Sequence, residues 1–444
     1  MPDKSYSFFI SALGCPKNLV ESELISGAFL AAGDTICFDP DDADIYIVNT
    51  CAFLPEARGE AAAELTDAVE WKRALPGRKI AVAGCLMNHP QFPEFKEHFK
   101  EVDLWCQIND TGRLRELLIN NAAPSPAGEA CTYLCNENMP RIQLTLPHVA
   151  YLKICDGCNN NCSYCAIPSL RGKLRSRSLN SVVTEAQTLV DNGVKELIVI
   201  AQDITAYGHD LDSGETLTKL LAELEKLPGN FVIRLLYTHP AHYTDELIAL
   251  LAESTKILPY LDMPLQHISD RILAAMNRHI DSDGIKNLIS KLRSSIPQLT
   301  LRTTFITGLP GETDAEFEEL CQFVKDSGFE RMGVFAFAPE PGTKAAEMPD
   351  QIPLEIAEAR AAKLMEIQKN IMKRAQRKKI GSAMRILIDQ IDEGIAYGRG
   401  ASDAPDIDNI VMLNAQRAMK PGRFIDVKIV KAAGSDLVAE KTGK

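Results

Sequence analysis

Cys158-Asn159-Asn160-Asn161-Cys162-Ser163-Tyr164-Cys165 sets three cysteines at CxxxCxxC spacing on one short loop. Thiolate sulfur is the soft ligand that iron–sulfur clusters require, and three such groups can hold three irons of a cubane and leave the fourth without a protein ligand. An electron carrier ordinarily has a fourth cysteine close by, so an open iron marks a reaction centre. A structural zinc loop is the competing reading, because cysteines at short spacing also bind zinc tetrahedrally. Zinc loops usually add a second CxxC or a His pair, and here Cys155 is the only extra candidate. Cys155 ends the apolar run Val149 to Ile154, which reads as a strand, and suits a small buried thiol.

Outward from this loop the pattern predicts a multidomain α/β chain. On the C-terminal side, strands expected at Glu196 to Ile200, Phe231 to Leu236, Leu258 to Met263, Thr300 to Ile306 and Met332 to Phe337 alternate with helices, as in a barrel or partial barrel. On the N-terminal side, apolar Tyr6 to Leu13, a helix over Asn18 to Ala32, a strand Asp44 to Asn49, a helix Pro55 to Lys72 and a strand Lys79 to Ala83 make a small parallel α/β unit. Pro124-Ser125-Pro126-Ala127-Gly128 has the punctuation of a connector. The boundaries expected are 1–135, a linker over 136–143, a core over 144–372, and 373–444, whose later part has short strands and turns that suit a small β-barrel.

Cys15, Cys51 and Cys85 each follow a predicted strand of the first block. Ligands bind beyond the carboxyl ends of parallel strands, so three cysteines far apart in sequence converge on one rim. Gly14 and Gly84, just before two of them, permit close backbone approach. Three cysteines could again hold one cluster with an open iron, although cysteines at strand ends are often only small buried residues. Cys37, Cys106, Cys131 and Cys135 lack this placement and read as structural thiols.

The CxxxCxxC loop with its aromatic Tyr164 resembles that of the radical S-adenosylmethionine (SAM) superfamily. Leu13-Gly14-Cys15-Pro16-Lys17-Asn18-Leu19-Val20-Glu21-Ser22-Glu23, Asn49-Thr50-Cys51-Ala52-Phe53 and Gly84-Cys85-Leu86 resemble the cluster-binding segments of its methylthiotransferases. That resemblance covers nearly the whole chain and implies an N-terminal cluster domain, a central radical-SAM (β/α) partial barrel and a C-terminal β-barrel of the TRAM type. It implies two 4Fe-4S clusters, one on Cys15, Cys51 and Cys85, the other on the catalytic Cys158, Cys162 and Cys165, with SAM on the open iron. Within the family, Pro16-Lys17-Asn18, Ala166 to Gly172 and Ala201 to Gly208 resemble the branch acting on small-subunit ribosomal protein twelve. The tRNA-modifying branch usually shows Gln-Met-Asn after its first cysteine. The implied reaction adds a methylthio group to an aspartate β-carbon, with a flavodoxin or ferredoxin as electron donor. Methylthiolation of a tRNA adenosine and a non-catalytic iron–sulfur or ribosome-binding role remain as alternatives.

Further SAM contacts are expected from Tyr164, and from Gln202 and Arg302 at the ligand-bearing rim, where a buried structural hydrogen bond is the competing reading for the last two. His267 reads as a satisfied hydrogen-bonding group, and Gly308 and Gly311 as turn glycines before a helix capped at Thr313-Asp314.

Composition frames these readings. The chain has 444 residues, 24% of them charged, and a net charge of −12, which argues against a general nucleic-acid binder. No apolar run approaches a membrane span and the first residues lack the order of a secretory signal, so a cytoplasmic protein without a membrane partner is expected, its twelve cysteines reduced or metal-bound. Residues 381 to 444 balance nine Lys/Arg against nine Asp/Glu. Their acidic turn, Asp403, Asp406 and Asp408, is expected to dock a basic protein through exposed charge, with turn capping by side-chain-to-backbone hydrogen bonds as the competing reading.

Overall fold

The computed structural model of the chain describes residues 4–126 and 129–442, so positions 127 and 128 of the expected connector lie outside the described residues. Five parallel strands form the N-terminal sheet, in the order Thr35–Ile36, Ser7–Ala12, Ile45–Thr50, Lys79–Gly84, Leu104–Trp105. Six parallel strands form the central sheet, an open barrel in the order Arg331–Ala336, Thr300–Thr307, Ile257–Asp262, Val232–Leu235, Glu196–Ile200, Val149–Lys153. A closed five-stranded barrel built from residues 383–441 completes the chain. The multidomain α/β architecture with a terminal β-barrel is as expected. No described helix is long and apolar enough to cross a membrane.

Helix Pro16–Ala31 joins the first two units. It starts sharply because Cys15 holds an extended backbone at the N-cap and Pro16 supplies a pre-set φ at the first helical position. One side packs Ile25 and Phe29 on Phe8, Ile45 and Ile47 of the N-terminal sheet. The other packs Val20 and Leu24 on Tyr151, Ile198, Ile200 and Tyr260, which alternate along their strands with residues facing the outer helices. Sandwiched in this way, the helix buries even Asn18, Glu21, Ser22 and Glu23, so each of these polar groups needs an internal partner.

The acidic turn corrects the sequence expectation. Asp403 is 2% exposed and its carboxylate pairs with Arg331. Asp408 lies 3.4 Å from the Arg331 Nε and accepts from the Tyr260 hydroxyl at 2.6 Å and the Ala404 N–H at 2.9 Å. Only Asp406 of the three is exposed. The base of the central barrel presents buried cations, and this turn satisfies them; Arg399 of the terminal barrel likewise shares Glu196 with Arg234, each at 2.6 Å. The turn is a plug, not a docking surface. Asp403→Ala should therefore lower the denaturation midpoint, because it takes one of two carboxylates from a buried guanidinium; an unchanged midpoint contradicts this role.

Candidate active site between two cysteine triads

Cys15, Cys51 and Cys85 stand at the carboxyl ends of adjacent strands Ser7–Ala12, Ile45–Thr50 and Lys79–Gly84. Their approach depends on missing side chains. A Cβ on Gly14, at φ +87°, would lie 2.4 Å from the Cβ and 2.9 Å from the Sγ of Cys51. One on Gly84, at φ +99°, would lie 2.3 Å from the Thr50 carbonyl oxygen. Burial pushes the Cys51 thiol up and Cys85 up to about 12, so this pocket holds thiolates readily only when cations share it.

Cys158, Cys162 and Cys165 occupy the loop beyond strand Val149–Lys153 at the barrel rim. The loop is braced from several sides: Ser163 N–H donates to the Met276 carbonyl at 3.1 Å, Ala345 N–H donates to the Ser163 carbonyl at 2.8 Å, and Asn160 donates to Asp203 at 2.8 Å. Burial pushes Cys158 up to about 11 and Cys165 up to about 12. Among the described residues no three His, Cys, Asp or Glu groups are set to hold a single metal ion. A cubane takes one thiolate at each of three separate irons, so it asks for no such convergence.

A buried ionic chain runs from Cys85 to the residues that flank the second triad's loop. Arg171, at the end of the short helix Ile167–Arg171 that follows Cys165, donates from Nε to the Cys85 Sγ at 3.2 Å and grips Glu21 of the N-terminal helix at 2.5 and 3.0 Å. Lys153 bridges Glu21 at 2.8 Å and Asp156 at 2.7 Å. Asp156 in turn accepts from Gln202 at 2.8 Å. Burial alone would raise the Glu21 and Asp156 carboxyls, but Arg171 and Lys153 overcome it and hold both below the usual carboxylate range. A second joint sits on the other side, where Glu340 accepts from Arg58 at 2.8 Å and contacts His89 Nε2 at 2.6 Å.

The remaining sequence candidates fall around the rim. Tyr164 packs among Ile272, Met276, Leu309 and Phe337, its hydroxyl 3.4 Å from Arg278. Gln202 donates one end to Asp156 and leaves its buried Oε1 without a partner. Arg302 lies deeper, donating to Asp262 at 2.8 Å. His267 is buried against Glu312 at 3.1 Å, and Thr313 caps helix Asp314–Ser327 in a capping box with Glu316.

Sequence reasoning passed over Arg171, Lys153 and Asp156 as functional groups, and also Arg278, whose guanidinium lies 3.5 Å from the Cys162 Sγ. Their signal was only that Lys153 and Asp156 flank the cysteine loop. Ser163 Oγ, Gln202 Oε1, His239 Nε2 and Gln266 Oε1 are buried without hydrogen-bond partners. All four belong to the loops beyond barrel strands, the place and polarity that a zwitterionic ligand such as SAM would satisfy.

An open parallel barrel with a cysteine-bearing loop at its rim defines a radical SAM enzyme, and the Radical SAM superfamily signature matches residues 152–324. The signature described as Uncharacterized protein family UPF0004 matches residues 7–107, and that of the TRAM domain matches 380–441. The chain belongs to the ribosomal protein uS12 methylthiotransferase family. It is 42% identical over 444 residues to the ribosomal protein uS12 methylthiotransferase RimO of Syntrophus aciditrophicus, covering 98% of each chain. The RimO of Akkermansia muciniphila is 41% identical over 97% of this chain and 98% of its own. Among solved structures, the radical SAM methyltransferase TsrM of Kitasatospora setae, with cobalamin and a 4Fe-4S cluster bound, superposes with TM-score 0.57 at 13% identity over 94% of this chain and 80% of that one, a likeness of fold.

The buried network makes stability pH-dependent. Carboxyls depressed in the folded state stabilise it fully above the ordinary carboxylate range, about pH 4, and that stabilisation is lost as pH falls below it. Glu21→Gln should lower the denaturation midpoint at pH 7 and flatten its decline between about pH 5 and 3; a midpoint and acid slope equal to wild type contradict the assignment.

Proposed function

We propose that this chain transfers a methylthio group to the β-carbon of an aspartate in ribosomal protein uS12. In this reading residues 1–135 carry one 4Fe-4S cluster on Cys15, Cys51 and Cys85. Residues 144–372, after the 136–143 linker, carry the other on Cys158, Cys162 and Cys165, and residues 373–444 close the base of the barrel. The observation that supports the reading is the Cys85–Arg171–Glu21–Lys153–Asp156–Gln202 chain, which runs from the first triad to residues that flank the loop bearing the second.

When bound, the clusters and SAM supply an electron for reductive cleavage of SAM, the resulting hydrogen abstraction, and the sulfur to be transferred. The protein's own groups do the rest. Gln202, Gln266, His239 and Ser163 offer unpaired polar atoms to SAM. His239, pushed down to about 2 by burial and by the nearby Arg278, stays neutral; its Nδ1 accepts from Ala241 at 3.2 Å, which leaves Nε2–H to donate. Tyr164, Ile272, Met276, Leu309 and Phe337 form an apolar wall that keeps water from the cysteine loop. Arg278 sets positive charge beside Cys162 and Arg171 beside Cys85. An electron donor such as flavodoxin or ferredoxin and a cytoplasmic setting complete the reading.

Two sets of variants test it. Cys162→Ala should abolish reductive SAM cleavage and lower iron by about one cluster per chain. Cys85→Ala should retain SAM cleavage and lose transfer to uS12, followed by mass spectrometry of uS12 and of tRNA in parallel. Methylthiolated uS12 from Cys85→Ala, or a product found on tRNA alone, contradicts the proposal.

A further inference from the structure

Lys17 stands where its own helix disfavours it. It is the second residue of helix Pro16–Ala31, where the aligned peptide dipoles place positive potential, and the first turn has no acidic side chain to offset a cation. A residue that breaks a local rule is a pointer to function.

Its Nζ lies 3.4 Å from the centre of the Tyr237 ring, with Cys15 and Asp262 also within electrostatic reach. Asp262 is already engaged, since Oδ1 accepts from Arg302 at 2.8 Å and Oδ2 from the Tyr237 N–H at 3.1 Å. Among the described residues Lys17 forms no ion pair with a carboxylate; it contacts the ring of Tyr237 and hydrogen-bonds that side chain. Tyr237 itself sits at φ +65°, a conformation that a bulky residue holds only when its surroundings impose it. This group is therefore a cation supported from below by a strained aromatic, beside one thiol triad and above a lumen in which Arg302 and Asp262 cancel.

We propose that Lys17 receives the β-carboxylate of the substrate aspartate and so fixes the β-carbon between the two triads. The proposal rests on the reading of the chain as an aspartate methylthiotransferase. Asp262 is committed to Arg302 and to the Tyr237 N–H, so the Lys17 ammonium is left to meet a substrate carboxylate. A hydrogen atom can be taken selectively only from a carbon held in near-contact geometry, and an ion pair one bond from that carbon supplies the restraint. An adenosine base has no carboxylate, so a lysine here also separates a protein substrate from a nucleic-acid one.

The test is equilibrium binding of the full-length enzyme to a uS12 segment containing the target aspartate, to the same segment with asparagine there, and to unmodified tRNA. Wild type should bind the aspartate segment about tenfold or more tightly than the asparagine segment, the scale expected for one charged hydrogen bond. Lys17→Met, which keeps an unbranched apolar stem on Tyr237, should bind both segments alike, and Lys17→Arg should restore discrimination. Undiminished discrimination by Lys17→Met overturns the proposal. Equal binding of both segments by wild type overturns it as well, without reference to any variant, and leaves the proposed function intact if mass spectrometry still finds modified uS12. Binding of tRNA but not of uS12 overturns the underlying reading and the proposal together.

Discussion

Glu21, Arg171, Lys153 and Asp156 are four charges taken out of water together, and the relative placement of the first two domains depends on them. Each would cost several kcal/mol to bury alone, and only a complete set of partners offsets that. Glu21 comes from the N-terminal domain and the other three from the barrel, so neither domain can satisfy its own members. Docking is driven to one geometry. The Arg171 N–H that reaches Cys85 and the Gln202 amide that braces Asp156 are outer links of the same network, which makes the spacing between the triads a consequence of buried electrostatics.

The same logic runs through the base of the molecule. Arg234, Arg399 and Glu196 share one buried cluster, and Arg331 joins Asp403 and Asp408 in another. An open six-stranded barrel leaves its lumen to be closed, and here a helix from one neighbour and a turn from the other cover part of it. Radical chemistry gains from this enclosure, because a reactive carbon centre must meet only its intended partner.

Much of this was legible in the sequence for definite reasons. Alternating apolar segments marked the strands, and CxxxCxxC spacing marked one loop without knowledge of any neighbour. Cys15, Cys51 and Cys85 could be grouped because parallel strands bring their carboxyl ends to one edge. What pairwise packing decides was not legible. Arg171 and Lys153 are ordinary charged letters until the partner domain is placed, and Asp403 and Asp408 read as a solvated turn because nothing local announces that Arg331 and Tyr260 wait beneath them. Gln202 makes the structural hydrogen bond weighed for it at one end and leaves the other end free.

The proposed function requires two clusters, one on each side of the Arg171–Glu21 joint. Electron paramagnetic resonance of the anaerobically reconstituted, fully reduced protein addresses it most directly. The account predicts about eight irons per chain and a spectrum broadened by coupling between two spins, with the broadening lost when Cys85 is replaced by Ala. About four irons per chain, or two clusters whose signals ignore each other, would contradict it.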